Sequence, residues 1–134
     1  MTDRYITVAA TEIPFNIKAG QDETLLIPLI PNTAPDTISG AGAIDPDVYF
    51  TAATSTSTDA WTLADPSGPA GQMKKVVMVV DGGTSTLTLA SAVSAALDVI
   101  TFADAGDTAE LIWTGSAWRV LALYGAVDAG PSIA

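Results

Sequence analysis

Hydrophobic positions along this chain recur at every second residue in short runs, and clusters of Gly, Pro, Asp, Asn and Ser separate the runs. A period of two sends alternate side chains to opposite faces of an extended strand, so the pattern predicts β-structure throughout. Tyr5 to Ala9 opens the chain as a strand rich in β-branched and aromatic residues. Thr24 to Ile30 reads as another; Pro28 inside it has no amide donor, which suits an edge strand or a bulge. Further strands are predicted over Val48 to Ala53, Ala60 to Leu63, Met73 to Val80, Thr84 to Leu89, Asp98 to Phe102, Thr108 to Trp113 and Ala117 to Tyr124. The second half of Met73 to Val80 is apolar on both faces, as in a central strand covered from both sides. Helix signals are nearly absent: Ala90 to Leu97 carries some propensity, and its serines and β-branched neighbours favour a single turn.

Turn chemistry then joins these strands into hairpins. Asp81-Gly82-Gly83 supplies the positive φ of a tight turn, Asp104-Ala105-Gly106-Asp107 a second, and Thr114-Gly115-Ser116 a third. Residues 31–47, dense in Pro, Gly and Asn, read as one long surface loop, and residues 125–134 as an exposed tail. Crossover helices are missing, which excludes a parallel α/β fold. The expected fold is therefore all-β: an antiparallel β-sandwich, jelly-roll-like fold or barrel of about eight short strands.

Length and composition narrow the picture. The 134 residues suit a single β domain spanning 1–134, with an N-terminal arm over residues 1–4. The chain has no cysteine and no histidine, which removes disulfides, thiolate chemistry, the commonest general base and a favoured zinc ligand. Only 15% of residues are charged, fifteen acids against five bases, for a net charge of −10. Such a surface repels phosphate backbones and anionic membranes, so neither nucleic acid nor membrane is expected as a partner. Apolar runs fall well short of the ~20 residues that cross a bilayer, and the first residues lack the basic and apolar regions of a signal peptide. The expected place of synthesis is a cytoplasm, with export only inside a larger assembly. A hydrophobic fraction of 49% with so little charge suggests that copies or partners cover part of the surface.

Candidate chemistry is sparse. The Ser–Lys spacing fails, because Phe15, Gly71 and Gln72 precede Lys18, Lys74 and Lys75 at the required offset. Asp45 with Asp47, Asp104 with Asp107, and Asp22 with Glu23 are the carboxylate pairs that acid–base catalysis or calcium would use. Each lies beside Gly, Pro or a strand end, where aspartate favours turns for its local hydrogen bonds, so no catalytic residue, metal or cofactor is expected. Trp61, Trp113 and Trp118 offer sugar-stacking faces, but tryptophans in alternating strands more often pack inward, and Trp113 and Trp118 flank one turn.

The run Trp61-x-Leu63, Gly71-Gln72-Met73-Lys74-Lys75-Val76-Val77 and Asp81-Gly82-Gly83-Thr84-x-Thr86-Leu87-Thr88 resembles a pattern of tailed-bacteriophage structural proteins. Its continuation does too, through Ile100-Thr101-Phe102, Gly106 to Trp113, Gly115, Trp118-Arg119-Val120 and Tyr124-Gly125-Ala126. The pattern is similar to that of head-decoration (cement) proteins and of tail-fibre or spike domains; residues 1–60 carry no matching motif. The resemblance implies a virion protein on the capsid surface, assembled in the host cytoplasm. It further implies a homotrimer that bridges the major capsid protein and stabilises the head. Two alternatives stand beside it: another virion part such as a tail, fibre or receptor-binding module, and a carbohydrate-binding or enzymatic β domain. The last strand supplies the expected subunit interface. Trp118, Val120, Ala122 and Tyr124 are read onto one face, and Arg119, Leu121 and Leu123 onto the other. The expected partner contacts lie in the long loop, at Pro31, Asn32, Pro35, Asp36, Asp45 and Asp47, or in the N-terminal arm before Tyr5.

Overall fold

The computed structural model describes the backbone of residues 4–8 and 11–15 and the whole of residues 34–125 and 131–134. The chain forms two compact units, Met1–Asn32 and Thr33–Ala134. In the first, β1 (Arg4–Val8) pairs antiparallel with β2 (Thr11–Phe15), from Arg4 opposite Phe15 to Val8 opposite Thr11. The strand expected over Thr24 to Ile30 lies outside the described residues, as do Pro31 and Asn32.

Among its described residues the second unit carries ten strands. They are β3 (Asp36–Ser39), β4 (Gly42–Ile44), β5 (Phe50–Thr54), β6 (Ala60–Leu63), β7 (Met73–Val80), β8 (Ser85–Leu89), β9 (Val99–Phe102), β10 (Thr108–Trp113), β11 (Trp118–Tyr124) and β12 (Ser132–Ile133). They form two five-stranded mixed sheets, in the orders β11-β10-β7-β5-β3 and β12-β9-β8-β6-β4, neither closed into a barrel. The all-β expectation holds. The purely antiparallel one does not, because β3, β5 and β7 are parallel in one sheet and β4, β6 and β8 are parallel in the other.

The chain order explains the parallel pairing. From β3 to β8 successive strands alternate between the sheets, so β3–β4, β5–β6 and β7–β8 are three successive turns of a flattened coil. Parallel strands need a crossover, and here the crossover is the strand in the opposite sheet rather than a helix. Then β9 turns back antiparallel on β8, and β10 crosses over to pair antiparallel with β7. Two expected hairpins are accordingly corners between sheets: Asp81-Gly82-Gly83 links β7 to β8, and residues 103–107 link β9 to β10. Thr114-Gly115-Ser116 does close a hairpin, β10–β11. Residues 31–47 are no single loop, since they contain β3 and β4, the first strand of each sheet within this unit. Residues 90–98 form turns and bends without helix.

Register aligns the inward residues into rows. Trp61, Leu87, Ile100 and Ile133 lie opposite one another across one sheet, and Thr51, Val76, Ala109 and Leu123 across the other. Inward residues of both sheets form a single hydrophobic cluster with Ile44, Leu63, Met78, Leu89, Phe102 and Leu111. Each such side chain contributes about 1.5–3 kcal/mol when fully buried. The corners stack as tightly as the strands. Ser55 N–H donates to the Val80 carbonyl at 2.9 Å, and the Ser55 hydroxyl to the Gly83 carbonyl at 2.7 Å. A Cβ on Gly82 would stand 2.4 Å from the Ser55 carbonyl oxygen, so this corner admits glycine alone.

Candidate functional site

The three tryptophans belong to the core. Trp61 and Trp118 are fully buried and Trp113 nearly so, with edge-to-face contacts between Trp61 and Phe102 and between Trp113 and Trp118. Their indoles are satisfied internally: Trp61 Nε1 donates to the Gly40 carbonyl and Trp118 Nε1 to the Ala64 carbonyl. No tryptophan offers a free face to a sugar ring.

The candidate carboxylates Asp45, Asp47 and Asp107 accept hydrogen bonds from turn and loop amides. Asp36 accepts from the Asp45 amide at 3.0 Å and from the Thr51 hydroxyl, while Asp45 accepts from the Asp47 amide at 2.9 Å. Asp47 accepts from Ser67 N–H at 2.8 Å, and that bond holds its carboxyl below the usual range. Asp107 accepts from the amides of Ala103 and Asp104. Asp22 and Glu23 lie outside the described residues. Among the described residues no group of three or more acids is placed to hold a metal ion.

Residues 36–47 are tied into the fold instead of forming a free arm. The Lys74 side chain is buried, and its ammonium donates to the carbonyls of Asp45 and Val48 at 2.7 Å each and to the Thr51 hydroxyl at 2.5 Å. Burial pulls its pKa down to about 8, against the opposing fields of Asp36 and Asp45. Of the expected partner contacts, Pro35, Asp45 and Asp47 are exposed, but Asp36 is a half-buried strand residue. Removing 33–44 would delete β3 and β4, so the loop reading gives way to a structural one.

The expected interface on β11 is split by a bulge. Glu110 lies opposite Ala122 and Leu111 opposite Val120, which leaves Leu121 as the extra residue. An inserted residue reverses the alternation beyond it. Trp118, Val120 and Leu123 therefore point to the core, while Arg119, Leu121 and Tyr124 are exposed. Trp118 cannot reach a neighbour, and Tyr124 does not share its face. The Tyr124 hydroxyl donates to Glu110, whose carboxylate pairs with Lys75 at 2.8 Å. The hydrogen bond between Lys75 and Glu110 raises the Lys75 pKa and lowers that of Glu110.

Large apolar side chains remain exposed at the end of β7, at Val79 and Val80, and on β11 and residues 90–98. Leu121 is 50% exposed and Tyr124 53%, with Val93 at 51% and Leu97 at 42% on the neighbouring turn. The strand pattern pointed to Arg119, Leu121 and Tyr124; it missed Val93 and Leu97, whose exposure follows from the 90–98 turn leaving the sheet. No protein-family model matches this chain, and no curated protein matches its sequence.

Proposed function

We propose that this protein is a bacteriophage capsid decoration (cement) protein, which binds the major capsid protein on the outer surface of the head as a homotrimer and stabilises the shell. The observation that carries its binding role is the exposed apolar group of Leu121, Tyr124, Val93 and Leu97 in a domain with few charges. Large exposed apolar side chains on a charge-poor surface suit a protein interface. The virion assignment is supported by the resemblance of residues 61–126, and the turn and loop hydrogen bonds of Asp45, Asp47 and Asp107 suit a protein without catalysis. Two sheets packed face to face as a sandwich would give such a protein a rigid platform.

The test is reconstitution. Heads lacking the protein are mixed with purified chain, imaged by cryo-EM and heated. Added density at threefold positions and a higher rupture temperature are expected; a bare shell with unchanged rupture refutes the reading. A second reading, a tail, fibre or receptor-binding module, is favoured by the coil of β3 to β8, because stacked repeats of this kind extend into rods. Labelled protein found on tails and not on heads would select it.

A further inference from the structure

Strand β11 is the outer strand of its sheet, and backbone bridges its free edge only at the start. There Ala92 pairs with Trp118, Trp118 N–H donates to the Ser91 carbonyl, and Val93 N–H donates to the Trp118 carbonyl. From Val120 to Tyr124 that edge is unpaired among the described residues. Beside it opens a groove of about 330 Å³ lined by Val93, Leu97, Trp118, Arg119, Val120 and Ile133. This is the lower end of the size range of ligand pockets, enough for aliphatic side chains rather than a large cofactor.

Charge defines what suits the groove. Among the residues whose side chains are described, the cations are Lys74, Lys75 and Arg119. Lys74 is buried on its acceptors, and Lys75 is paired with Glu110. Arg119 is exposed and has no ion pair among the described residues, so among the described side chains this apolar groove carries the one free positive charge. A phosphate-rich ligand would meet the surrounding acids. A short segment with a single carboxylate beside aliphatic side chains does not meet that obstacle.

We propose that this groove binds an extended peptide segment of a different protein, with a carboxylate on Arg119 and aliphatic side chains between Val93, Leu97, Val120 and Ile133. The unpaired edge of β11 offers backbone hydrogen bonds to the same segment. The proposal rests on reading the domain as a protein-binding module.

The probe is the peptide acetyl-Asp-Leu-Val-Ile-Ser-amide, titrated into the methyl-labelled full chain and followed by NMR. Saturable shifts are expected at the methyls of Val93, Leu97, Val120 and Ile133 and at the Trp118 indole. Replacing the peptide's Asp by Asn weakens binding about fivefold, as expected for one partly exposed ion pair. Arg119→Gln weakens the Asp peptide by the same factor and leaves the Asn peptide unaffected. Leu97→Asp, on an exposed position, abolishes binding with the melting temperature of the free protein unchanged. Three results overturn the proposal: no saturable shift up to millimolar peptide, equal binding of the Asp and Asn peptides, or the same methyls shifting with protein concentration alone, which would assign the groove to a second copy. Heads that bind the chain while the peptide does not would sink this inference and leave the decoration reading intact; the converse would do the opposite.

Discussion

Lys74 makes stability depend on pH in an unusual direction. Burial holds its folded-state pKa at about 8, against 10.5 for an ordinary lysine. Between those values the folded chain binds fewer protons than the unfolded chain, so stability rises with pH across that window. The drop from 10.5 to about 8 corresponds to roughly 3 kcal/mol at about 1.4 kcal/mol per pH unit. Lys74→Met keeps the stem but strands the three acceptors that the ammonium serves, Asp45 O, Val48 O and Thr51 Oγ1. A buried acceptor left unpaired costs about 1–3 kcal/mol. Urea unfolding of both proteins from about pH 7 to about pH 10.5 isolates the effect, since tyrosines and the other lysines titrate in each. The gap between wild type and variant is expected to be about 1–3 kcal/mol near pH 7 and to widen by up to about 3 kcal/mol by pH 10.5. A gap that stays constant or narrows would refute the account of a desolvated ammonium.

Gly82→Ala drives a Cβ to within 2.4 Å of the Ser55 carbonyl and 2.8 Å of Thr56 backbone, so a loss of about 2–4 kcal/mol is expected in thermal melts. Gly68→Ala, which meets only the movable Gln72 side chain, should cost less than about 1 kcal/mol. Leu121→Glu should leave the melting temperature nearly unchanged, whereas Leu123→Glu, packed against the core, should unfold the domain. If Leu121 also lies in the subunit contact, light scattering will show that variant smaller than wild type. Asp59 accepts from the amides of Thr56 and Ser57, and the Thr56 bond foremost holds its pKa below 3.8. Its contribution is therefore present above that value and lost as pH falls through the lowered one, so Asp59→Asn should flatten the acid limb of the stability profile.

The period-two pattern and the turn residues determined most of the local structure. The bounds of β6, β7 and β10 follow from short apolar or alternating runs between turn residues, and the carboxylates at 45, 47 and 107 act as the turn acceptors that their neighbours imply. Tertiary structure decided the rest. A hairpin turn and a corner between sheets use the same Asp-Gly chemistry, and what makes Asp81-Gly82-Gly83 a corner is the backbone of residues 55–57 stacked against it. The strands β3 and β4, three or four residues long in a Pro- and Gly-rich stretch, persist because β5 and β6 supply their hydrogen bonds; propensity does not signal them. The acceptors around Lys74 come from 23–29 residues away, so a Lys-Lys pair in a strand says nothing of which ammonium is buried. Likewise the faces of β11 depend on its register with β10, where one bulged leucine turns Tyr124 outward and Leu123 inward. Alternation specifies which neighbours oppose each other along a strand, whereas register, stacking and burial arise only when distant segments meet.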